Sequence, residues 1–456
     1  MIDQSIFREY DIRGTVPEQI NETSLKIIAN AIAAKCMMEN VNELVLGRDG
    51  RLSGENLLVC LSKELQKLGI NIVNVGLVTS PLLYFAAKQL DSKSGVMITG
   101  SHNPKNYNGF KTVINDAPIS GTEILSFASY ELPKVTQLGK EIIKTDLLGE
   151  YVNEVVSQAE KKSKKMKVVV DCGNGAAGEI APMLMRALGH EVIELFCEVD
   201  GTFPNHHPDP AHLENLQDLI RNLASTDNEL GLAFDGDADR LGVVTKDGQV
   251  IFPDRQMMLF AKDVLTRHPN GQIIYDVKCT RNLAPWIEQH GGQALMWKTG
   301  HSLVKAKLKE TGAPLAGEMS GHIFFKDRWF GFDDGLYTGA RLLEILSKVA
   351  NPSEVLNALP NAICTPELQL PCAEGEAFIL LDKIKANPQF PSSQSINTID
   401  GVRVEYADGF GLARPSNTTP IVVLRFEADS DEAIQRIQGE FKKALLAVKP
   451  DAKLPF

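Results

Sequence analysis

The sequence predicts an α/β protein made of three related α/β domains and a C-terminal α+β domain. Three observations carry this. One strand–helix–strand pattern occurs three times, the pattern changes after residue 361, and 456 residues exceed what a single hydrophobic core organises.

The first copy, "ELVLGRDGRLSGENLLVCLSKELQKLGINIVNVG", starts at Glu43. The second, "KVVVDCGNGAAGEIAPMLMRALGHEVIELF", starts at Lys167, and the third, "QIIYDVKCTRNLAPWIEQHGGQALMWKTG", at Gln272. Each opens on a short β-branched strand and a polar turn. An amphipathic helix, a glycine near its end and a second strand follow. Such a crossover builds a parallel sheet with helices packed on it. The spacing between copies places the domains at 1–146, 147–249 and 250–361.

Residues 362–456 read differently. A helical "GEAFILLDKIKAN" is followed by strands "GVRVEYAD" and "PIVVLRFEA" and the helix "SDEAIQRIQGEFKKALLAV". Strands next to each other in sequence, flanked by helices, predict a small α+β unit. The basic run "KKSKKMK" at 161–167 reads as a solvated turn before a strand.

Composition narrows the function. Hydrophobic residues at 43% and charged residues at 23% fit a globular enzyme. A net charge of −11 argues against nucleic-acid binding, so an anionic ligand must be held by a local cluster of donors. Seven scattered cysteines without a CxxC pair read as reduced thiols. The polar start "MIDQSIFREYDIRG" has no signal-peptide character, and no apolar run approaches a membrane span. The expectation is a cytoplasmic protein acting on a small molecule, with no nucleic-acid, membrane or obligatory protein partner.

Four loops carry chemistry. "TGSHNPKNYNGFK" puts Ser101 on a tight loop after the apolar "SGVMI". Serine and Asn-Pro are common turn residues, and a serine nucleophile needs a base or a metal, so the other loops decide its role. "LGLAFDGDADRLG" places Asp235, Asp237 and Asp239 at alternate positions after a strand. Three carboxylates without His or Cys suit Mg²⁺. An EF-hand would need glycine where Arg240 stands and glutamate where Lys246 stands. Mg²⁺ is commonly shared with a phosphate, which Arg240 is placed to attend.

"GEMSGHIFF" offers Glu318, Ser320 and His322 as partners for sugar hydroxyls, with Gly317 and Gly321 allowing close approach. "RPSNTTP" gathers Arg414, Ser416, Asn417, Thr418 and Thr419 into a donor cluster that fits a phosphate. A rival signal is "GNGAAG" at 173–178, which matches the dinucleotide fingerprint with Glu194 as the ribose acid. The same turn in the other two copies reads "GRDGRLSG" and "VKCTRNL", without the fingerprint spacing, which points to a role in the fold.

A serine, a Mg²⁺ loop and a separate phosphate clamp suit the movement of a phosphoryl group, and two phosphate positions around one ring suit a mutase. The chain resembles the α-D-phosphohexomutase superfamily, most closely its bacterial phosphomannomutase/phosphoglucomutase branch. "FREYDIRG", "TGSHNP", "DGDADR", "GEMSGH" and "RPSNTTP" fall in family order along essentially the whole length. The resemblance implies four domains around a central active-site cleft, a phosphoserine at Ser101, and Mg²⁺ on Asp235, Asp237 and Asp239 with Ser101 as a further ligand. It implies sugar contacts from Glu318, Met319, Ser320, Gly321 and His322, and a distal phosphate on Arg414, Pro415, Ser416, Asn417 and Thr418. It also suggests roles for Tyr10, Arg13, Lys111, Arg240, Lys278 and His301. Lys111 and His301 are the candidates for general acid and base, unranked.

The implied reaction interconverts hexose 1-phosphate and 6-phosphate, with mannose and glucose as substrates, through a bound hexose 1,6-bisphosphate that also serves as activator. Phosphoglucosamine mutase is the alternative within the superfamily. A serine-dependent sugar phosphatase and an idle sugar-phosphate binder are the alternatives outside it.

Overall fold

The computed structural model describes residues 2–160, 164–417 and 419–456. Of the basic run, 161–163 lie outside the described residues, and the described Lys164 and Lys165 are exposed.

The described strands form four sheets, one per sequence unit. In the first, Glu43–Arg48 lies between Asn71–Leu77 and Gly95–Ile98, all parallel. Tyr107–Ile114 then returns antiparallel to Gly95–Ile98, and Ile12–Thr15 pairs antiparallel on its far side. The second sheet repeats the plan on a smaller scale. Lys167–Asp171 is parallel to Glu191–Leu195 and Leu230–Phe234, and Leu241–Thr245 returns antiparallel. In the third, Gln272–Asp276 is parallel to Gln293–Trp297 and Leu315–Gly317, and Ile323–Phe325 returns antiparallel. The fourth sheet is antiparallel throughout, with Ile421–Ala428 and Gly409–Pro415 at its centre.

Local chemistry explains why these segments take these forms. Stretches such as "VVVD" at 168–171 and "LGLAF" at 230–234 are continuously buried, as parallel strands covered on both faces must be. Helices begin at side-chain caps. Asn21 accepts from the amides of Thr23 and Ser24 ahead of Glu22–Met38, and Ser430 accepts from that of Ala433 ahead of Asp431–Val448. Each such cap is worth about 1 kcal/mol. Ile434, Ile437, Phe441, Ala444 and Leu445 make the buried stripe of that last helix at the expected three- and four-residue spacing.

Core packing groups the units unequally. One hydrophobic cluster runs from Val45 through Val168 and Leu232 to Ile273 and Leu359, joining the first three sheets. The C-terminal unit has its own core around Val404, Leu424 and Phe441. It docks on the third unit through a small apolar cluster of Val277, Phe410 and Leu412 and through polar groups. Arg403 donates to the carbonyls of Val277 and Cys279 at 2.6 and 2.7 Å, and Thr280 donates to Glu427 at 2.7 Å.

Candidate active site

The four functional loops occupy equivalent places in their sheets. Residues 99–106 join Gly95–Ile98 to its antiparallel neighbour Tyr107–Ile114, and 235–240 join Leu230–Phe234 to Leu241–Thr245. Residues 318–322 join Leu315–Gly317 to Ile323–Phe325, and 416–420 join Gly409–Pro415 to Ile421–Ala428. The first three leave the carboxyl end of a parallel strand, where open α/β sheets place their ligands.

The serine loop is held from beneath by Arg51, a fully buried side chain. Its guanidinium donates to the carbonyls of Ser101, Asn103, Pro104 and Tyr107 at 2.6–2.9 Å and pairs with Asp49 at 3.2 Å. A Cβ on Gly100 would collide with that guanidinium, which explains the glycine. Arg13 donates to the Gly100 carbonyl at 2.6 Å and to Asn103 at 2.7 Å. Ser101 itself sits at φ +47°, a strained position for a residue with a side chain. Its Oγ is aimed across the seam between the first two units, 3.1 Å from Oδ2 of Asp235.

The aspartates converge as their alternation requires. Asp235, Asp237 and Asp239 are fully buried, with one oxygen from each within 4.8 Å of the others. Gly236 packs directly on the Ser101 carbonyl, where a Cβ would clash. Lys111 reaches in from the first sheet, 2.7 Å from Asp237 and 2.5 Å from Asp239. Burial opposes a charged lysine, yet these two carboxylates hold its ammonium well above the usual lysine range. Burial, then Asp239 and Asp237, push the Asp235 carboxyl well above its ordinary value. Oδ1 of Asp237 accepts no hydrogen bond among the described residues, an expensive condition for a buried anionic oxygen, and Oδ1 of Asp239 has the His322 ring at 3.4 Å. An all-oxygen donor set with an unsatisfied anionic atom fits a hard divalent cation.

The third loop meets this cluster. His322 Nε2 lies 3.4 Å from Asp239, and its Nδ1 is 3.0 Å from Glu318 and 3.0 Å from the Ser320 hydroxyl. Arg240 Nε is 3.3 Å from the same ring. His301, the first residue of helix His301–Thr311, stands with its ring centre 5.4 Å from that of His322. Burial pushes His301 well below the ordinary histidine value, so its imidazole is neutral. Its Nδ1 is 3.6 Å from Asp333. Tyr10 joins three units, its hydroxyl donating to the Thr299 carbonyl at 2.8 Å and accepting from Asn417.

The clamp residues lie beyond the third loop. Arg414, buried, is oriented by Asp400 at 3.0 Å, and Asp400 also accepts from the Thr299 amide at 3.0 Å. Pro415 is the last residue of its strand and is buried. Ser416 and Thr419 hydrogen-bond each other at 3.0 Å. Thr418 lies outside the described residues. Lys278, buried, pairs with Glu367 at 3.2 Å. Met319 is half-buried, and its amide donates to Asp276 at 3.1 Å.

Ser101, Lys111, Arg13, Arg240, the three aspartates, His322, Glu318 and Ser320 thus share one contact network. His301 and Tyr10 bridge it towards the clamp, where Arg414 and Asn417 stand, while Lys278 sits beside Glu367. Sequence reasoning missed the residues that aim these groups. Arg51 and Asp49 shape the serine loop, Ser80 donates to Asp237 at 2.6 Å, and Asp333 and Asp400 face His301 and Arg414. "GRDGR" and "GFDDG" are the signals that could have found the first pair and Asp333. The dinucleotide-like glycines serve packing. A Cβ on Gly175 would press on Gly236 of the metal loop, one on Gly178 would strike the Cys197 carbonyl, and Glu194 pairs with Arg186 at 2.7 Å.

Comparison with known proteins matches the whole chain. Family models described as phosphoglucomutase/phosphomannomutase alpha/beta/alpha domains I, II and III match residues 4–125, 149–248 and 252–363, and the C-terminal domain model matches 367–444. The chain is 54% identical over 448 residues to the phosphoglucomutase of Neisseria meningitidis serogroup A, covering 97% of each. It is 53% identical over 457 residues to the phosphomannomutase/phosphoglucomutase of Pseudomonas putida, covering 100% of this chain and 98% of that one. A crystal structure of a phosphoglucomutase/phosphomannomutase family protein from Burkholderia thailandensis superposes with a TM-score of 0.94 at 55% identity over the full length of both.

Proposed function

Because the chain belongs to the phosphoglucomutase/phosphomannomutase family and is a hexose-phosphate mutase, we propose that Ser101 is its phosphoryl carrier. The observation that carries this is Ser101 Oγ, 3.1 Å from Asp235 on the rim of the aspartate cluster. Asp235, Asp237 and Asp239 would hold Mg²⁺, with an oxygen of the phosphorylated Ser101 completing the set. The cation would supply charge stabilisation on the phosphoryl group in transfer.

The chain's own residues do the rest. Phosphorylated Ser101 gives its phosphoryl group to the free hydroxyl of a hexose 1- or 6-phosphate. The bond to Oγ breaks, a bond to the sugar oxygen forms, and the hydroxyl proton passes to a base. The resulting 1,6-bisphosphate turns end over end and returns its other phosphate to Ser101. Lys111, held as an ammonium by two carboxylates, neutralises charge and is a poor base. His301, whose imidazole is neutral, is free to accept the proton, whereas His322, which Asp239 raises to about 9 against the effect of burial, is held charged and is suited to give one up. Glu318 and Ser320 would grip ring hydroxyls, and Arg414, Ser416, Asn417 and Thr418 the distal phosphate. The scattered free thiols and the charge support a cytoplasmic enzyme with phosphosugar substrates.

The test is a coupled assay of mannose 1-phosphate, glucose 1-phosphate and glucosamine 1-phosphate with saturating hexose 1,6-bisphosphate. A cleft that binds the bisphosphate both ways round cannot dedicate a rigid partner to the 2-hydroxyl. Mannose and glucose substrates should therefore agree in kcat/KM within about tenfold, and the amino sugar should be poorer. A strong preference for the amino sugar, or release of inorganic phosphate without isomerisation, would overturn this reading.

A further inference from the structure

Two cysteines of the second unit stand in contact. Cys172 follows strand Lys167–Asp171 and is fully buried, and Cys197 follows strand Glu191–Leu195 and is half-buried. Their sulfurs are 3.5 Å apart. The strands are parallel neighbours in register at Asp171 and Leu195, and the backbone stays paired beyond them. The Cys172 amide donates to Leu195 at 3.1 Å and that of Asn174 to Phe196 at 2.8 Å. Closing a disulfide asks for a sulfur separation near ~2 Å, a shift of about 1.5 Å that rotation about the side-chain bonds and a small strand adjustment can supply.

The pair adjoins the candidate active site without belonging to it. Three residues after Cys172, Gly175 packs on Gly236 between the metal-loop aspartates, and the Ala176 amide donates to the Gly236 carbonyl at 3.0 Å. One residue before Cys172, Asp171 holds His206 at 3.1 Å, and the adjacent His207 hydrogen-bonds the His102 carbonyl next to Ser101. Direct contacts thus run from residues flanking Cys172 to both the aspartate loop and the serine loop.

We propose that Cys172 and Cys197 are a reversible oxidation site for small hydroperoxides, whose disulfide form slows the enzyme by displacing the Gly175–Gly236 contact. Cys197, the less buried of the two residues, attacks the peroxide, its thiol proton passing to the departing oxygen. The O–O bond breaks, Cys197 becomes a sulfenic acid, and water or an alcohol leaves. The Cys172 sulfur then attacks Cys197, the S–S bond forms, and the hydroxyl departs as water with the Cys172 proton. Two electrons pass from the dithiol to the peroxide. Burial keeps Cys172 a thiol until that step.

The experiment treats the full chain with hydrogen peroxide, maps its peptides without reduction, and follows turnover. The expected result is a Cys172–Cys197 cross-link, two hydrogens lighter than the dithiol. Turnover should fall about fivefold or more and recover with dithiothreitol. Cys197→Ser should keep its turnover under the same treatment. A wild-type map with Cys197 as sulfinic acid or unmodified, and no cross-link, would overturn the site, whatever reaction the enzyme catalyses. A full cross-link with unchanged turnover would overturn its connection to the metal loop. The turnover arm rests on the mutase reading, and the peptide map does not.

Discussion

The ammonium of Lys111 lies 2.7 Å from the carboxylate of Asp237, in a site where both side chains are buried. The lysine belongs to the first sheet and the aspartate to the second, so this ion pair ties the serine loop's strand to the metal loop. Lys111→Met removes the charge but keeps the length of the side chain. Turnover should fall by about 10²-fold or more, because on the proposed reading the lysine would neutralise the anionic groups around the transferring phosphate. Steady-state kinetics check this, and circular dichroism should show the fold retained.

Chelation should act on the same cluster. EDTA is expected to abolish activity and Mg²⁺ to restore it, since the donors are all oxygen and one of them, Oδ1 of Asp237, accepts no hydrogen bond among the described residues. Asp237→Asn should behave like the chelated enzyme, with its metal response read by titration of activity against Mg²⁺. Undiminished turnover in metal-free buffer would remove the cation from the account.

Arg414 tests the clamp. It is aimed by Asp400 at 3.0 Å and, on the proposed reading, would serve the distal phosphate whichever end of the sugar is reacting. Arg414→Ala should weaken binding of both 1-phosphate and 6-phosphate substrates by about 1.5–3 kcal/mol, the worth of a charge-assisted contact. A defect confined to one isomer would mean that each end has its own phosphate site.

Gly300 tests the seating of Tyr10. It sits at φ +138°, and an added Cβ would lie 2.5 Å from the Tyr10 ring. Gly300→Ala should displace the ring and break its hydroxyl contacts with Thr299 and Asn417. KM should rise by roughly tenfold, about 1.4 kcal/mol, with thermal stability lowered as well. An unchanged KM would show that the Tyr10 bridge is not needed for binding.

Much of this was legible in the sequence, because the informative features are local. The strand–turn–helix–strand grammar depends on neighbouring residues and announced the parallel strands of the first three sheets, though not the antiparallel strand that returns in each. The alternation in "DGDADR" announced a converging carboxylate cluster, and the positions of its glycine and alanine announced the close packing they permit. The aiming residues were not legible. Arg51 lies 50 residues before Ser101, and Asp400 lies 101 residues after Thr299, so only folding shows what they touch. Tyr10 and Arg13 were recognised through their motif, but the bridge from Tyr10 to Asn417, spanning nearly the whole chain, is a tertiary fact. The pairing of Lys111 with two aspartates, which supports the proposal of His301 as the base, is likewise a tertiary fact.

The central claim is that Ser101 carries the phosphoryl group between the two ends of the sugar. The direct measurement is phosphopeptide mapping of the purified protein before and after incubation with glucose 1,6-bisphosphate, beside the Ser101→Ala variant. The account predicts one phosphate per chain on Ser101, acquired from the bisphosphate and lost to added hexose monophosphate. The alanine variant should be folded, unlabelled and without turnover. Phosphate on another residue, or near-normal turnover by the alanine variant, would contradict it.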